Sequence, residues 1–157
     1  MIDREARDRA ATLLRRFADG EITNEDFYAD YPRSGEDPAL RAVFDEAWYY
    51  YSDLKTHYLV GKHALTEEGR DVFARCEFFL LSDLEYRYPK NQFSGLGRPG
   101  IFLILFTLGI EWLLYLRRRR RDEYLLHERE AAGDISVWPF PSRADYEAAK
   151  LSLSPSR

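Results

Sequence analysis

This sequence predicts an all-α fold, and three observations carry the prediction. Apolar residues recur at three- and four-residue spacing through most of the chain. Helix-start signatures stand in front of those runs. No pair of segments alternates polar and apolar residues as paired strands do. The expected architecture is a compact bundle of five to six helices, with a long apolar fifth helix ending in an arginine cluster. The 157 residues divide by composition into an acidic helical domain (1–98), an apolar helix with an arginine-rich end (99–132) and a C-terminal strap with a short helix (133–157).

The elements follow in order. Asp3 is placed to cap a first helix whose inward positions are Ala6, Ala10, Leu13, Leu14 and Phe17, and Gly20 stops it. Thr23 with Asp26 has capping-box spacing, and Ile22 with Phe27 has the spacing of a hydrophobic staple. That second helix ends near Tyr31-Pro32. Asp37-Pro38 is an N-cap followed by proline at the first helical position, where a missing N–H costs little. From there Leu40, Val43, Phe44, Ala47, Trp48, Tyr51, Leu54 and Tyr58 predict one continuous helical face. A fourth helix is expected from Thr66 with Val72, Phe73, Cys76, Phe79, Leu80 and Leu84 inward, closed by Pro89. The fifth is expected from near Gly100 through the arginines toward Ala132, where Gly133-Asp134 stops it. Ile135 to Phe140 reads as an extended segment, and Ser142 with Asp145 caps a last short helix.

Charge is unevenly placed. Residues 1–98 hold 14 Lys/Arg against 19 Asp/Glu, whereas five of the nine basic groups in 99–157 are Arg117, Arg118, Arg119, Arg120 and Arg121. An acidic N-terminal part repels phosphate, so no nucleic-acid partner is expected. A single cysteine, Cys76, fits a reducing compartment, and the first twenty residues are too charged for a secretory signal. The expected location is cytoplasmic, extending to the inner face of the membrane if the apolar segment makes contact there.

That segment, 101–116, holds one charge, Glu111. A span needs roughly 20 apolar residues, and sixteen helical residues reach only about 24 Å. Trp112 and Tyr115 suit an interfacial belt beside Arg117–Arg121, which favour anionic headgroups. Burial in the bundle, shallow insertion and a single span all remain open on these residues.

Chemistry-bearing patterns are sparse. Asp53 and His57 lie four apart with His63 beyond, but a metal needs three or four convergent ligands. Cys76 falls on an inward stripe, where a thiol serves as a small core residue. Ser52-Asp53 and Ser82-Asp83 diverge on a helix. Gly95 to Gly100 lacks the strand and the Lys-Ser/Thr ending of a phosphate loop. Trp138-Pro139-Phe140 reads as a stiff hook pinning a strap. No catalytic residue, metal ligand or cofactor is expected.

The run from Leu14 to Phe27 (LRRFADGEITNEDF) resembles the small helical bacterial immunity proteins of the colicin D type. In that group a first helix ends in phenylalanine, Gly-Glu-Ile follows, and a second helix opens toward another phenylalanine. The likeness covers roughly the first sixty residues. It implies a binder that blocks a basic toxin nuclease with an acidic face. The whole chain, including Gly133 to Phe140, is also similar to small helical bacterial proteins to which the resemblance attaches no activity. The function expected is non-enzymatic binding of a basic protein partner by Asp45, Glu46, Asp53 and Asp83. The alternative is a membrane-associated scaffold holding anionic lipid through 101–116 and the arginines.

Overall fold

A computed structural model describes residues 1–50, 55–89 and 110–153, the side chains of 110, 111 and 118 set aside. Six α-helices and no strand occur among them: α1 Arg4–Ala18, α2 Asn24–Asp30, α3 Pro38–Ala47, α4 Glu67–Leu81, α5 Ile110–Ala132 and α6 Arg143–Leu153. Short 3-10 turns lie at Trp48–Tyr50, Gly61–His63 and Ile135–Val137.

The helix starts follow the caps read from sequence. Asp3 accepts the Ala6 N–H at 3.1 Å. Thr23 and Asp26 form the reciprocal capping box, so two amides that no helical carbonyl reaches are satisfied. Asp37 accepts the Ala39 N–H at 3.1 Å ahead of Pro38. Ser142 Oγ accepts the Asp145 N–H at 3.2 Å. Gly20 joins α1 to α2 at φ +70°, and a Cβ there would stand 2.5 Å from Val60 Cγ1, so both backbone and space require glycine.

The core forms where α1 lies along α4. Ala10, Leu14 and Phe17 of α1 meet Phe73, Cys76 and Leu80 of α4, closed above by Ile22, Phe27, Leu40, Val43 and Ala47. Phe17 and Phe27 stack at 4.8 Å, and Tyr50 meets Phe73 edge-on at 5.1 Å. A second cluster, Ala39, Phe79, Val137, Phe140 and Ala149, seats the C-terminal strap and α6 against the other side of α4. Phe79 and Phe140 meet edge to face at 5.3 Å. The Tyr88 hydroxyl donates within reach of two strap carbonyls, Phe140 at 2.8 Å and Asp134 at 3.1 Å. Arg75 Nε donates to the Trp138 carbonyl at 3.1 Å.

Two charged side chains sit inside this packing. Arg7 and Asp37 are each 1 % exposed. Arg7 Nε and Nη2 donate to the two oxygens of Asp37 at 2.6 and 3.0 Å, and Nη1 donates to the Leu84 and Ser82 carbonyls at 2.8 and 3.2 Å. One guanidinium thus ties α1, the start of α3 and the chain leaving α4. Burial alone would favour the neutral acid at Asp37. Hydrogen bonds from Arg7 and from the Asp3 and Ala39 amides outweigh it and hold the carboxyl below its usual range.

Several expectations are corrected. The third helix stops at Ala47 and gives way to the turn Trp48–Tyr50, instead of running to Tyr58. Residues 55–58 are irregular, because buried Asn24 claims their backbone. Its side chain accepts the His57 N–H at 2.8 Å and donates to the Lys55 carbonyl at 3.3 Å. His57 is therefore on no helix, and the helical Asp53–His57 pairing does not hold. The fourth helix ends at Leu81, where the Ser82 hydroxyl turns back onto the Phe79 carbonyl at 2.8 Å. Ile135–Val137 is a 3-10 turn rather than extended chain, followed by a cis Trp138–Pro139 bond. Positions 51–54 and 90–109, with Asp53, the glycine-rich loop and most of the apolar segment, lie outside the described residues.

Candidate functional site

Of the acidic residues expected from sequence, the described ones, Asp45, Glu46 and Asp83, are not gathered in one place. Asp83 follows α4 and stands 3.4 Å from Arg4, beside the Ser82 carbonyl that Arg7 holds against the first turn of α3. Asp45 and Glu46 are at the other end of α3, about 12 Å along its axis at 1.5 Å per residue. Asp45 pairs with Arg41 at 2.7 Å. Glu46 is half-buried; burial pushes its carboxyl up, against the pull of Arg129 and Arg75.

A denser acidic surface lies at α2 instead. Asp19, Glu21, Glu25, Asp26 and Asp30 are all exposed, and residues 17–32 contain no lysine or arginine. Asp30 also faces Asp8 and Arg9 of α1 across a shallow hollow. The local sequence explains the arrangement: Ile22, Phe27 and Tyr31 turn inward, leaving the polar positions of a short helix to solvent.

Next to this surface, α2, the 31–38 loop and α3 enclose a groove of about 680 Å³. Its walls include Tyr28, Tyr31, Phe44 and Trp48, and its rim carries Arg33, Arg41 and Asp45. The Arg33 guanidinium lies 5.3 Å from the Tyr28 ring centroid. Tyr28, Phe44 and Trp48 form a chain of rings with centroids 5.5 to 5.8 Å apart. Trp48, expected on the inward face of a long helix, is 42 % exposed, because the stripe from Leu40 to Trp48 is wider than the buried edge formed by Leu40, Val43 and Ala47. The signal for the groove was in the spacing: Arg41, Phe44, Asp45 and Trp48 fall at i, i+3, i+4 and i+7, a second stripe along α3.

At α5, Trp112 and Tyr115 stack at 5.4 Å, with Trp112 39 % and Leu113 61 % exposed. Arg117, Arg119, Arg120 and Arg121 are exposed, Arg119 pairing with Glu123 at 3.0 Å; the Arg118 side chain is outside the description. The helix meets the core at its C-terminal end, where Ala132 packs. Among the described residues no helix is long and apolar enough to cross a membrane.

Other chemistry is not assembled among the described residues. No group of three or more His, Cys, Asp and Glu there could hold a metal ion. The His57 and His63 rings meet at a tilt of 38° with centroids 4.7 Å apart, but both His57 ring nitrogens face backbone carbonyls, Lys55 and Tyr50, each at 3.1 Å. Cys76 is buried among core residues, and burial pushes its thiol far up, away from the nucleophilic thiolate.

Comparison with protein-family models, with curated proteins and with solved structures yields no match.

Proposed function

We propose that this chain is a non-enzymatic interaction protein that binds a basic protein partner through its acidic α2 surface, extending to Asp45 at the end of α3. The observation that carries the reading is the run of five exposed carboxylates from Asp19 to Asp30, with Arg16 paired to Glu21 at 3.5 Å, set beside exposed aromatic side chains. Carboxylates of one sign steer a cationic partner, and exposed tyrosine and tryptophan supply contact area at small entropic cost. The toxin-blocking role implied by the immunity-protein resemblance is one form such binding takes. Of the residues expected from sequence, Asp45 belongs to this surface and Asp83 stands apart from it.

The test is calorimetric titration with a blocked hexa-lysine peptide. Binding should be salt-sensitive and should fall about tenfold or more in the Glu21→Lys/Asp30→Lys variant, which replaces two attractive charges with repulsive ones. Equal affinity in parent and variant refutes the reading.

A second reading rests on α5. Exposed Trp112 and Leu113 directly precede the exposed arginines, an order that suits the boundary of an anionic lipid surface. In this reading the chain is a scaffold at the inner face of the membrane. Replacing Arg117–Arg121 with glutamine should release the protein from vesicles containing phosphatidylserine; retention by those vesicles rules out the electrostatic contact.

A further inference from the structure

We infer that the basic partner of the α2 surface is a second copy of this chain, whose Arg117 and Arg120 on α5 dock against the α2 carboxylates. The inference rests on the proposed basic partner and says what it is.

On α5, Leu113, Arg117, Arg120 and Tyr124 fall at i, i+4, i+7 and i+11, so one helix face carries two guanidinium groups between a leucine and a tyrosine. All four side chains are exposed, Leu113 by 61 % and Tyr124 by 62 %. Among the described residues neither Arg117 nor Arg120 pairs with a carboxylate, and Arg119 pairs within its own helix, with Glu123. The molecule's own α2 carboxylates are therefore not matched by these two cations. Ala132 packs on the core, and Arg120 and Arg117 stand about 18 and 22 Å from it along the helix axis, where a second molecule can reach them.

The α2 surface is the complement. Asp19, Glu21, Glu25, Asp26 and Asp30 are exposed. The segment 55–60 runs beside them: the Thr56 hydroxyl donates to Glu25 at 2.6 Å, and Val60 Cγ1 lies against Gly20, between Asp19 and Glu21. Tyr58 and Val60 in that segment are 47 and 53 % exposed, so this surface too sets apolar side chains among its charges. Arg16, paired with Glu21 at 3.5 Å, and Lys55 and Lys62 are the cations of the flanking segments, and the carboxylates outnumber them.

Charge sets the pairing. Each copy carries a net charge of −4, so two copies repel at long range. Screening beyond about 10 Å at 0.1 M salt leaves the local patches to govern contact. One α2 surface repels another and one arginine cluster repels another, so α5 of one molecule meets α2 of a different one. Contact also covers exposed apolar area on both sides, an attraction that salt does not screen.

Sedimentation equilibrium of the full chain, from micromolar to near-millimolar concentration, tests this alongside hexa-lysine calorimetry. The proteins are the parent, Arg117→Glu/Arg120→Glu, Glu21→Lys/Asp30→Lys and the chain carrying all four reversals, each first shown to keep the parent's circular dichroism. The parent's average mass should rise with concentration, fall in high salt and return to that of a monomer when hexa-lysine is added. Either pair of reversals should weaken association about tenfold or more. The four together should associate more tightly than either pair alone, because the reversed charges again face opposite charges across the contact. A parent that stays monomeric while binding hexa-lysine overturns the inference and leaves the basic-partner reading standing. So does association that either pair leaves unchanged, or that is no tighter with all four. A parent that neither associates nor binds hexa-lysine overturns both.

Discussion

Asp37→Asn is the sharpest perturbation of this fold. Asparagine is nearly isosteric and its side-chain oxygen can still cap α3, but the amide nitrogen that replaces Oδ2 cannot accept from Arg7 Nε or the Asp3 N–H, so the charge and those two hydrogen bonds are lost together. Arg7 and Asp37 are buried on all sides, and breaking one member of a buried pair costs about 3–5 kcal/mol because the remaining charge is left uncompensated. Arg7 keeps its bonds to the Leu84 and Ser82 carbonyls, which places the expected loss at the lower end, about 3 kcal/mol. For a chain of this length that is a fall in Tm of roughly 6–12 °C, a sizeable share of a total stability of about 5–15 kcal/mol. Urea unfolding followed by far-ultraviolet circular dichroism measures it. The pH dependence has a definite sign. The folded carboxyl titrates below its ordinary value, so the pair's contribution is complete above about pH 4 and is lost as pH falls through the depressed value. The gap between parent and Asp37→Asn should therefore close in acid. A variant within about 0.5 kcal/mol of the parent, with a gap that does not change with pH, would refute the role given to this pair.

Three further outcomes follow from the packing. Gly20→Ala should destabilise by about 1–2 kcal/mol in the same unfolding assay, since alanine must take a left-handed conformation and meet Val60. Tyr88→Phe should cost about 1–2 kcal/mol by leaving the buried Phe140 carbonyl without its 2.8 Å donor, and should expose the strap to proteolysis before the α1–α4 core. Cys76 should resist Ellman's reagent in the native state and react in urea at the rate of a free thiol, because it is buried and its thiol is pushed far up; rapid native-state labelling contradicts its place in the core.

Local rules made much of the fold legible. The caps at Asp3, Thr23, Asp37 and Ser142 and the stop at Gly133 depend on residues a few positions apart, and each element starts or ends where those residues put it. Long-range partners were not legible. Nothing near Asn24 announces that it claims the backbone of residues 55–57, so the third helix looked longer than it is. Arg7 falls in register with Ala10 and Leu14 on the inward face of α1, a pattern open to reading, but its partner lies thirty residues away at a position already accounted for as a cap. The groove was hidden for a similar reason: Trp48 and Phe44 look like core by periodicity, and only tertiary packing limits the buried edge of α3 to Leu40, Val43 and Ala47. The expected acidic face failed to gather because Asp83 and Asp45 attach to opposite ends of α3, whereas the α2 carboxylates are contiguous in sequence and needed no tertiary knowledge to find.

The proposed function stands on the α2 carboxylates binding a basic partner. The most direct measurement is the affinity for the hexa-lysine peptide across a series of salt concentrations, in the parent and in Glu21→Lys/Asp30→Lys. Parent affinity should fall steeply with salt, and the double reversal should abolish most of both the affinity and its salt dependence. Parent binding that is absent, or that the reversal leaves unchanged, contradicts it.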